Sequence, residues 1–330
     1  LQIPAVYVED SFLQDVEPID VVAETTRLHA VRSLKSFYLD VGRSLSLNKA
    51  PRIRGPEISG VINTVLDDIL GQKDIMVNLV DIRTLGDSTF FHSVNVCTLS
   101  ILAGISMGYN RPGLYQLGVG SLLHDIGKVL VPPEILHKPG KLTKAEFDEM
   151  KKHPQYGYNI LREMPNISLA SANVAFEHHE RYNGEGYPRE LSGKEIHEYA
   201  QITGLADIYD ALTSDRIYRK AYPHHEAIEM IAASGNFYFE HRVVKAFLDN
   251  IAVYPIGTPV ELNNGEIAVV LNTPRGYPHL PDVRVVSSGG RTLRVCFDRR
   301  LIEEKALLIS RVIPEEEFAD MEGMENVLES

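Results

Sequence analysis

LYQLGVGSLLHDIGKVLVPP, residues 114–133, decides the reading of this chain. From Leu114 to Ile126 apolar residues recur at helical spacing, and Gly127 supplies a stop. The helix delivers His124 and Asp125 side by side near its end. Consecutive helical residues point about 100° apart, so the two side chains can address neighbouring ions, and a carboxylate has two oxygens with which to bridge them. An adjacent His-Asp pair arises often by chance. Its weight comes from what lies on either side of it.

Upstream stands His92, and downstream follow His153, the pair His178-His179, and Asp207. Imidazole and carboxylate together suit Fe, Mn, Zn or Ni. One ion takes three to four protein ligands, which leaves a surplus here, so the set predicts two adjacent metals. Paired metals point to hydrolysis, most often of phosphate esters.

Around this set the pattern stays helical from Asp87 to Asn250. Asp87 is placed to cap a helix that runs through HSVNVCTLSILAGISM to Gly108. Thr143 and Glu146 form a capping box, Pro154 sits at a first helical position, Pro165 stops that helix, and Ser168 can cap the one carrying His178 and His179. Further helices are expected over 195–213, 223–233 and 239–250. Before Asp87, residues 18–48 and 56–80 read as an antiparallel helix pair, separated by the basic turn NKAPRIRGP. After Asn250 short β-branched runs (GTPVEL, EIAVVLN, DVRVVSS, TLRVCF, ALLIS) alternate with NNG, TPRGYP and SGG, the pattern of a small antiparallel barrel or sheet. The expected organisation is therefore an N-terminal helical region over 1–86, a catalytic helical domain over 87–250, a β subdomain over 251–313 and an acidic tail over 314–330.

With 330 residues, 44% of them hydrophobic, the chain can bury a sizeable core in two or three domains. No run of the sequence reaches the roughly 18 apolar residues of a membrane span, and LQIPAVYVED lacks a signal-peptide layout, so a cytoplasmic location is expected. The first residue is Leu1, which leaves room for a longer protein with an upstream sensor. Cys97 and Cys296, neither in a CxxC motif, support neither a disulfide framework nor a thiolate zinc site. A net charge of -12 disfavours a duplex nucleic-acid surface, whose affinity comes from many Lys and Arg contacts to phosphate. An anionic substrate would be drawn in by the metals and a few local basic residues.

The separated His92, His124-Asp125 and Asp207 resemble the signature of the HD superfamily of metal-dependent phosphohydrolases. HDIGKVLVPPEILHKPGKLT (124–143), HHERYNGEGYP (178–188) and ADIYDALTSDRIYRKAY (206–222) sharpen this to the HD-GYP family, over about residues 87–250. That resemblance implies a mainly α, HD-type helical bundle, here with an N-terminal helix pair and a C-terminal antiparallel β segment. It implies hydrolysis of cyclic di-GMP to pGpG, and in many members onward to GMP, with iron, or alternatively manganese, as the metal. One ion would take His92, His124, Asp125 and Asp207. The other would share Asp125 and take His153, His178 and His179. Family members with a third metal carry a Glu four residues before the first His; Ser88 stands there, so two metals are expected. Asn183 and Arg181 also depart mildly from the usual loop residues.

The expected mechanism is in-line attack of a metal-bridging hydroxide with departure of the ribose 3′ oxygen. Asp125 and Lys128 are the catalytic candidates, Lys128 for contacting phosphate or protonating the leaving group; the competing reading is a surface lysine at a helix end. Gly186, Tyr187, Arg216 and Arg219 join Lys128 as candidate substrate contacts, the arginines through planar forks. Asp210 reads as a partner for a ligand histidine. His224-His225, at a helix start, are expected on the surface, and His29, His137, His197, His241 and His279 have no partner at ligand spacing. Two alternatives stand beside the leading one: a hydrolase of another cyclic dinucleotide, such as cyclic GMP-AMP, and a catalytically weak receptor or scaffold. The implied partners are cyclic di-GMP, a diguanylate cyclase or an upstream sensor, and a second copy of the chain through the helix pair or the β segment.

Overall fold

The computed structural model describes residues 21–47, 55–71, 88–214, 220–274, 276–314 and 317–318. Arg216, Arg219, Asp87, the basic turn after the first helix and nearly all of the acidic tail lie outside these residues, as does the side chain of Ser88. The described chain forms two compact units, a helical one ending at Asn250 and a β one beginning at Ile251.

In the helical unit α1 (Glu24–Ser46) and α2 (Gly55–Gly71) pack on each other, α1 also on α3 (Ser88–Ser106) and α2 on α4 (Arg111–Leu122). The apolar stripe read from the sequence is the buried face: Val31 and Leu34 of α1, and Ile58, Val61, Ile62, Val65, Leu66 and Ile69 of α2. Each such side chain contributes roughly 1.5–3 kcal/mol on full burial. By length and hydropathy, the stretch Thr89–Ser106 also meets the criterion for a membrane span, which the sequence reading had not credited to any run. Two thirds of it is buried inside the bundle, where it is the core helix that carries His92.

Asn110 starts α4 by accepting from the Gly113 amide, with Pro112 in the first turn. The helix ends at Leu122, four residues before the expected Ile126. His124 and Asp125 therefore sit in a turn, and the chain winds more tightly as a 3₁₀ segment over Ile126–Leu130. The reason lies at Gly127. A Cβ there would stand 1.9 Å from the His153 carbonyl oxygen and 2.4 Å from the Gly157 amide, so the tightened segment docks backbone to backbone on α7 (His153–Arg162).

The short α5 (Pro133–Leu136) and α6 (Lys144–Met150) follow that segment, α6 opened by the Thr143–Glu146 capping box. Next come α7, α8 (Leu169–Glu177), α9 (Glu198–Thr213), α10 (His224–Ala233) and α11 (His241–Leu248). Ser168 accepts from the Ser171 amide at the start of α8. The helix expected from 195 begins three residues later, because Ser192 and Glu195 close a 3₁₀ turn over Gly193–Glu195 first. Contacts of α3 with α4 and α9, of α8 with α4, α7 and α9, and of α7 with the 3₁₀ segment gather the ligand-bearing elements around one point.

The β unit holds β1 (Pro259–Leu262), β2 (Ile267–Asn272), β3 (Asp282–Ser288), β4 (Arg291–Arg300) and β5 (Ile309–Val312). They form one antiparallel sheet in the order β4-β3-β2-β1-β5. Val260, Leu262, Ala268, Val270, Val283, Val285 and Leu301 form its principal core. Arg299 ties β4 to Glu266 (2.9 Å) and Glu304 (2.8 Å).

Candidate metal centre

His92 lies on α3, His124 and Asp125 follow α4, His153 opens α7, His178 and His179 follow α8, and Asp207 lies on α9. Three of the imidazoles are held alike. The Nδ1 atoms of His124, His153 and His178 lie 2.7, 2.7 and 3.1 Å from the carbonyl oxygens of Ser121, Met150 and Ala175. A carbonyl only accepts, so each Nδ1 carries the hydrogen and each Nε2 presents a lone pair. That is how a protein prepares histidine for a metal.

The lone pairs converge. His153 Nε2 and His178 Nε2 are 3.4 Å apart, and the His124 and His178 ring centroids 5.0 Å. Two trios have ligand atoms within 4.8 Å of one another: His92, His124 and Asp125, and His153, His178 and His179. Asp125 belongs to both neighbourhoods. Its Oδ1 faces His153 Nε2 (3.3 Å) and His178 Nε2 (3.8 Å), while its Oδ2 faces His124 Nε2 (3.3 Å) and Lys128 Nζ (2.5 Å). The two oxygens thus point to different trios. His124, Asp125, His153 and His178 are buried; His92, His179 and Asp207 are half-buried and leave the open side.

Electrostatics fit a cation site. Burial lowers His153 to about 4 and His179 to about 3, and holds His178 well below the ordinary imidazole value, so these rings are neutral at pH 7, the form that can ligate a cation. Burial opposes ionisation of Asp125, yet the Lys128 ammonium keeps it well below the usual carboxylate range. Asp207 behaves likewise beside His92. For His92 burial is outweighed by Asp207 (3.2 Å from Nε2) and Asp210 (2.6 Å from Nδ1), which raise it to about 10. Ligation through its Nε2 would release that proton. Among the described residues the buried His124 Nε2 has no hydrogen-bond partner, since its approach to Asp125 lacks the geometry of one. An orphaned buried lone pair amid neutral imidazoles and ionised carboxylates is what a divalent cation would satisfy, so the residues present fit the two ions.

The loop over the site is built from α8. Glu180, buried, accepts from the amides of Arg189 (2.8 Å) and Leu191 (3.0 Å), and Glu177 from Arg189 Nη2 (2.5 Å) and the His197 amide (2.7 Å). At Gly186 a Cβ would stand 2.4 Å from the Arg181 nitrogen and the Glu180 Cα, so only glycine lets the loop lie so close. Tyr187, joined to Pro188 by a cis peptide, then stacks its ring on His179 at 4.7 Å and 25°. The sequence reading missed Glu177 and Glu180, although they flank the histidine pair as EHHE. Glu180→Ala is expected to cost about 1–3 kcal/mol by leaving buried amides without an acceptor. Thermal melting would read this, and hydrogen exchange should quicken at the Arg189 and Leu191 amides.

Among the candidate substrate contacts, Lys128 is ion-paired at the centre with 27% of its side chain exposed. That placement differs from the surface-lysine alternative. Gly186 and Tyr187 lie in the loop beside His179, and Arg216 and Arg219 fall outside the described residues. Asp210 accepts from Asn95 as well (3.0 Å), and Asn95, one turn beyond His92, was not anticipated. His224 is a correction to its expected surface position: it is half-buried with Nδ1 2.9 Å from the Tyr209 hydroxyl, because the start of α10 packs on α9. A separate cavity of about 370 Å³ is lined by Asn63, Arg111, Tyr115 and Asn166 among others; none of the predicted site residues is in its wall.

The fold and the site define the class. Residues 104–243 match the family model of the HD domain, and 259–321 that of the KOW domain associated with the HD domain. Over 213 residues the chain is 38% identical to a cyclic di-GMP phosphodiesterase of Pseudomonas aeruginosa, covering 64% of this chain and 51% of that one. It is 39% identical over 191 residues to a 3′3′-cGAMP-specific phosphodiesterase of Vibrio cholerae, covering 57% and 37%. A solved HDG"Y"P protein from Bdellovibrio bacteriovorus shares the fold, with a TM-score of 0.50 and 19% identity over 72% of this chain and 74% of that one. The chain carries an HD domain over residues 104–243 and is similar to HD-GYP proteins. It spans about half the length of the curated relatives it matches first.

Proposed function

We propose that the chain is a metal-dependent phosphodiesterase that hydrolyses cyclic di-GMP to pGpG and onward to GMP. The observation that carries this reading is Asp125, whose two oxygens face two separate histidine groups. One ion would be held by His92, His124, Asp125 and Asp207, the other by Asp125, His153, His178 and His179. Iron is the first candidate and manganese the second, with two ions preferred over three because Ser88 offers no carboxylate. When bound, such ions supply Lewis-acid polarisation of phosphate and activation of water at neutral pH.

The protein's own groups do the rest. The Nδ1-to-carbonyl bonds fix the imidazoles, so that little reorganisation is needed when substrate arrives. Lys128 holds an ammonium proton beside Asp125, in reach of a phosphate oxygen or of the departing ribose 3′ oxygen. Tyr187 offers an aromatic face beside His179 for a base, pinned by Gly186 and Glu180. Arg216 and Arg219 complete the proposed substrate contacts.

The similarity to a 3′3′-cGAMP-specific enzyme favours one second reading, a mixed cyclic dinucleotide as substrate. To separate them, protein prepared anaerobically with iron or manganese is given cyclic di-GMP or 3′3′-cGAMP, and linear products are followed by chromatography. Faster formation of pGpG is expected. Exclusive cleavage of the mixed dinucleotide would transfer the proposal to that substrate, and intact substrates with both ions bound would point to a receptor.

A further inference from the structure

Arg181 directly follows Glu180 in the chain, and its backbone nitrogen lies where a Cβ on Gly186 would fall, 2.4 Å away. Its guanidinium is held on two sides. Nη1 donates to the carbonyl oxygens of His178 (3.3 Å) and Glu180 (2.9 Å), and the Phe239 ring lies 5.3 Å from the central carbon. These contacts cap the C-terminal end of α8, where a positive charge is favourable. They account for one of three nitrogens.

Nε and Nη2 have no acceptor among the described residues, and Arg181 forms no ion pair there. The side chain is half-buried. Its bond to the His178 carbonyl and the closeness of its backbone to Gly186 place the charge beside both the metal centre and the loop next to it. A half-buried guanidinium whose Nε and Nη2 meet no protein acceptor among the described residues is free to take up an anion. Arginine's fork matches a phosphate's two oxygens.

We propose that Arg181 grips the second, uncleaved phosphate of a two-phosphate substrate while the first lies at the metal centre. This rests on the cyclic dinucleotide reading above. Arg181 then selects cyclic dinucleotides over diesters with one phosphate. It does so through binding, because the charge it meets is already present in the ground state.

The test compares wild type, Arg181→Gln and Arg181→Lys, all metal-loaded, on cyclic di-GMP and on bis(p-nitrophenyl) phosphate, which has one phosphate. For Arg181→Gln, KM for cyclic di-GMP is expected to rise at least tenfold, the size of about one charged hydrogen bond, with kcat changing less. The loss in kcat/KM should be at least about fivefold smaller on the one-phosphate diester. Arg181→Lys keeps a charge and a carbonyl donor, so it should recover part of the affinity and serves if the Gln variant melts early. Equal losses on both substrates would leave only the helix-capping role and overturn the proposal, as would an unchanged KM. If wild type cleaves the one-phosphate diester but no cyclic dinucleotide, the substrate reading fails and this one with it.

Discussion

Asp125→Asn is expected to lower turnover of cyclic di-GMP by roughly 10³-fold or more, which is about 4 kcal/mol of lost transition-state stabilisation. The substitution keeps shape and one oxygen but removes the charge. In the native site Oδ1 serves His153 and His178 and Oδ2 serves His124 and Lys128, so no single remaining oxygen can serve both groups. Circular dichroism should show an unchanged helical content, because the buried neighbours are imidazoles and not apolar side chains awaiting a partner. Metal content should fall with activity. Full metal loading with wild-type turnover would show that Asp125 is not shared.

Gly127→Ala is the second large effect, and it acts through the backbone. The added methyl would stand 1.9 Å from the His153 carbonyl oxygen, fixed on one backbone and pressed into another. Neither a rotamer change nor a flexible neighbour can relieve it. The 3₁₀ segment must move from α7, which separates Asp125 from His153. A cost of at least about 3 kcal/mol is expected, at the upper end for overpacked cores, with loss of the second metal before global unfolding. Denaturant melts together with metal analysis at low denaturant would check the order of these events.

The clustering of the candidate ligands was legible in the sequence because metal chemistry restricts them to few residue types, and His92, His124, Asp125, His153, His178, His179 and Asp207 lie close together in the fold. Helix existence was legible for a similar reason: the apolar stripes of α1 and α2 repeat at 3.6 residues, and the caps at Thr143 and Ser168 announce themselves. The end of α4 was not. Its early stop depends on a backbone contact with α7, which no local pattern reveals. The same holds for Glu180, whose acceptors' partners lie 9 and 11 residues away, and for His224, whose burial depends on Tyr209. Asp210 could be read from its one-turn spacing to Asp207, whereas its bond to Asn95 spans 115 residues.

The central claim is that the two ligand trios are halves of one two-cation centre with Asp125 between them. The most direct measurement is an anomalous-scattering crystal structure of anaerobically prepared, metal-loaded protein, with metal per chain determined on the same sample. Two peaks are predicted, one bounded by His92, His124, Asp125 and Asp207 and one by Asp125, His153, His178 and His179, at two metals per chain. A single peak at full loading, or two peaks of which one lies away from Asp125, would contradict the account.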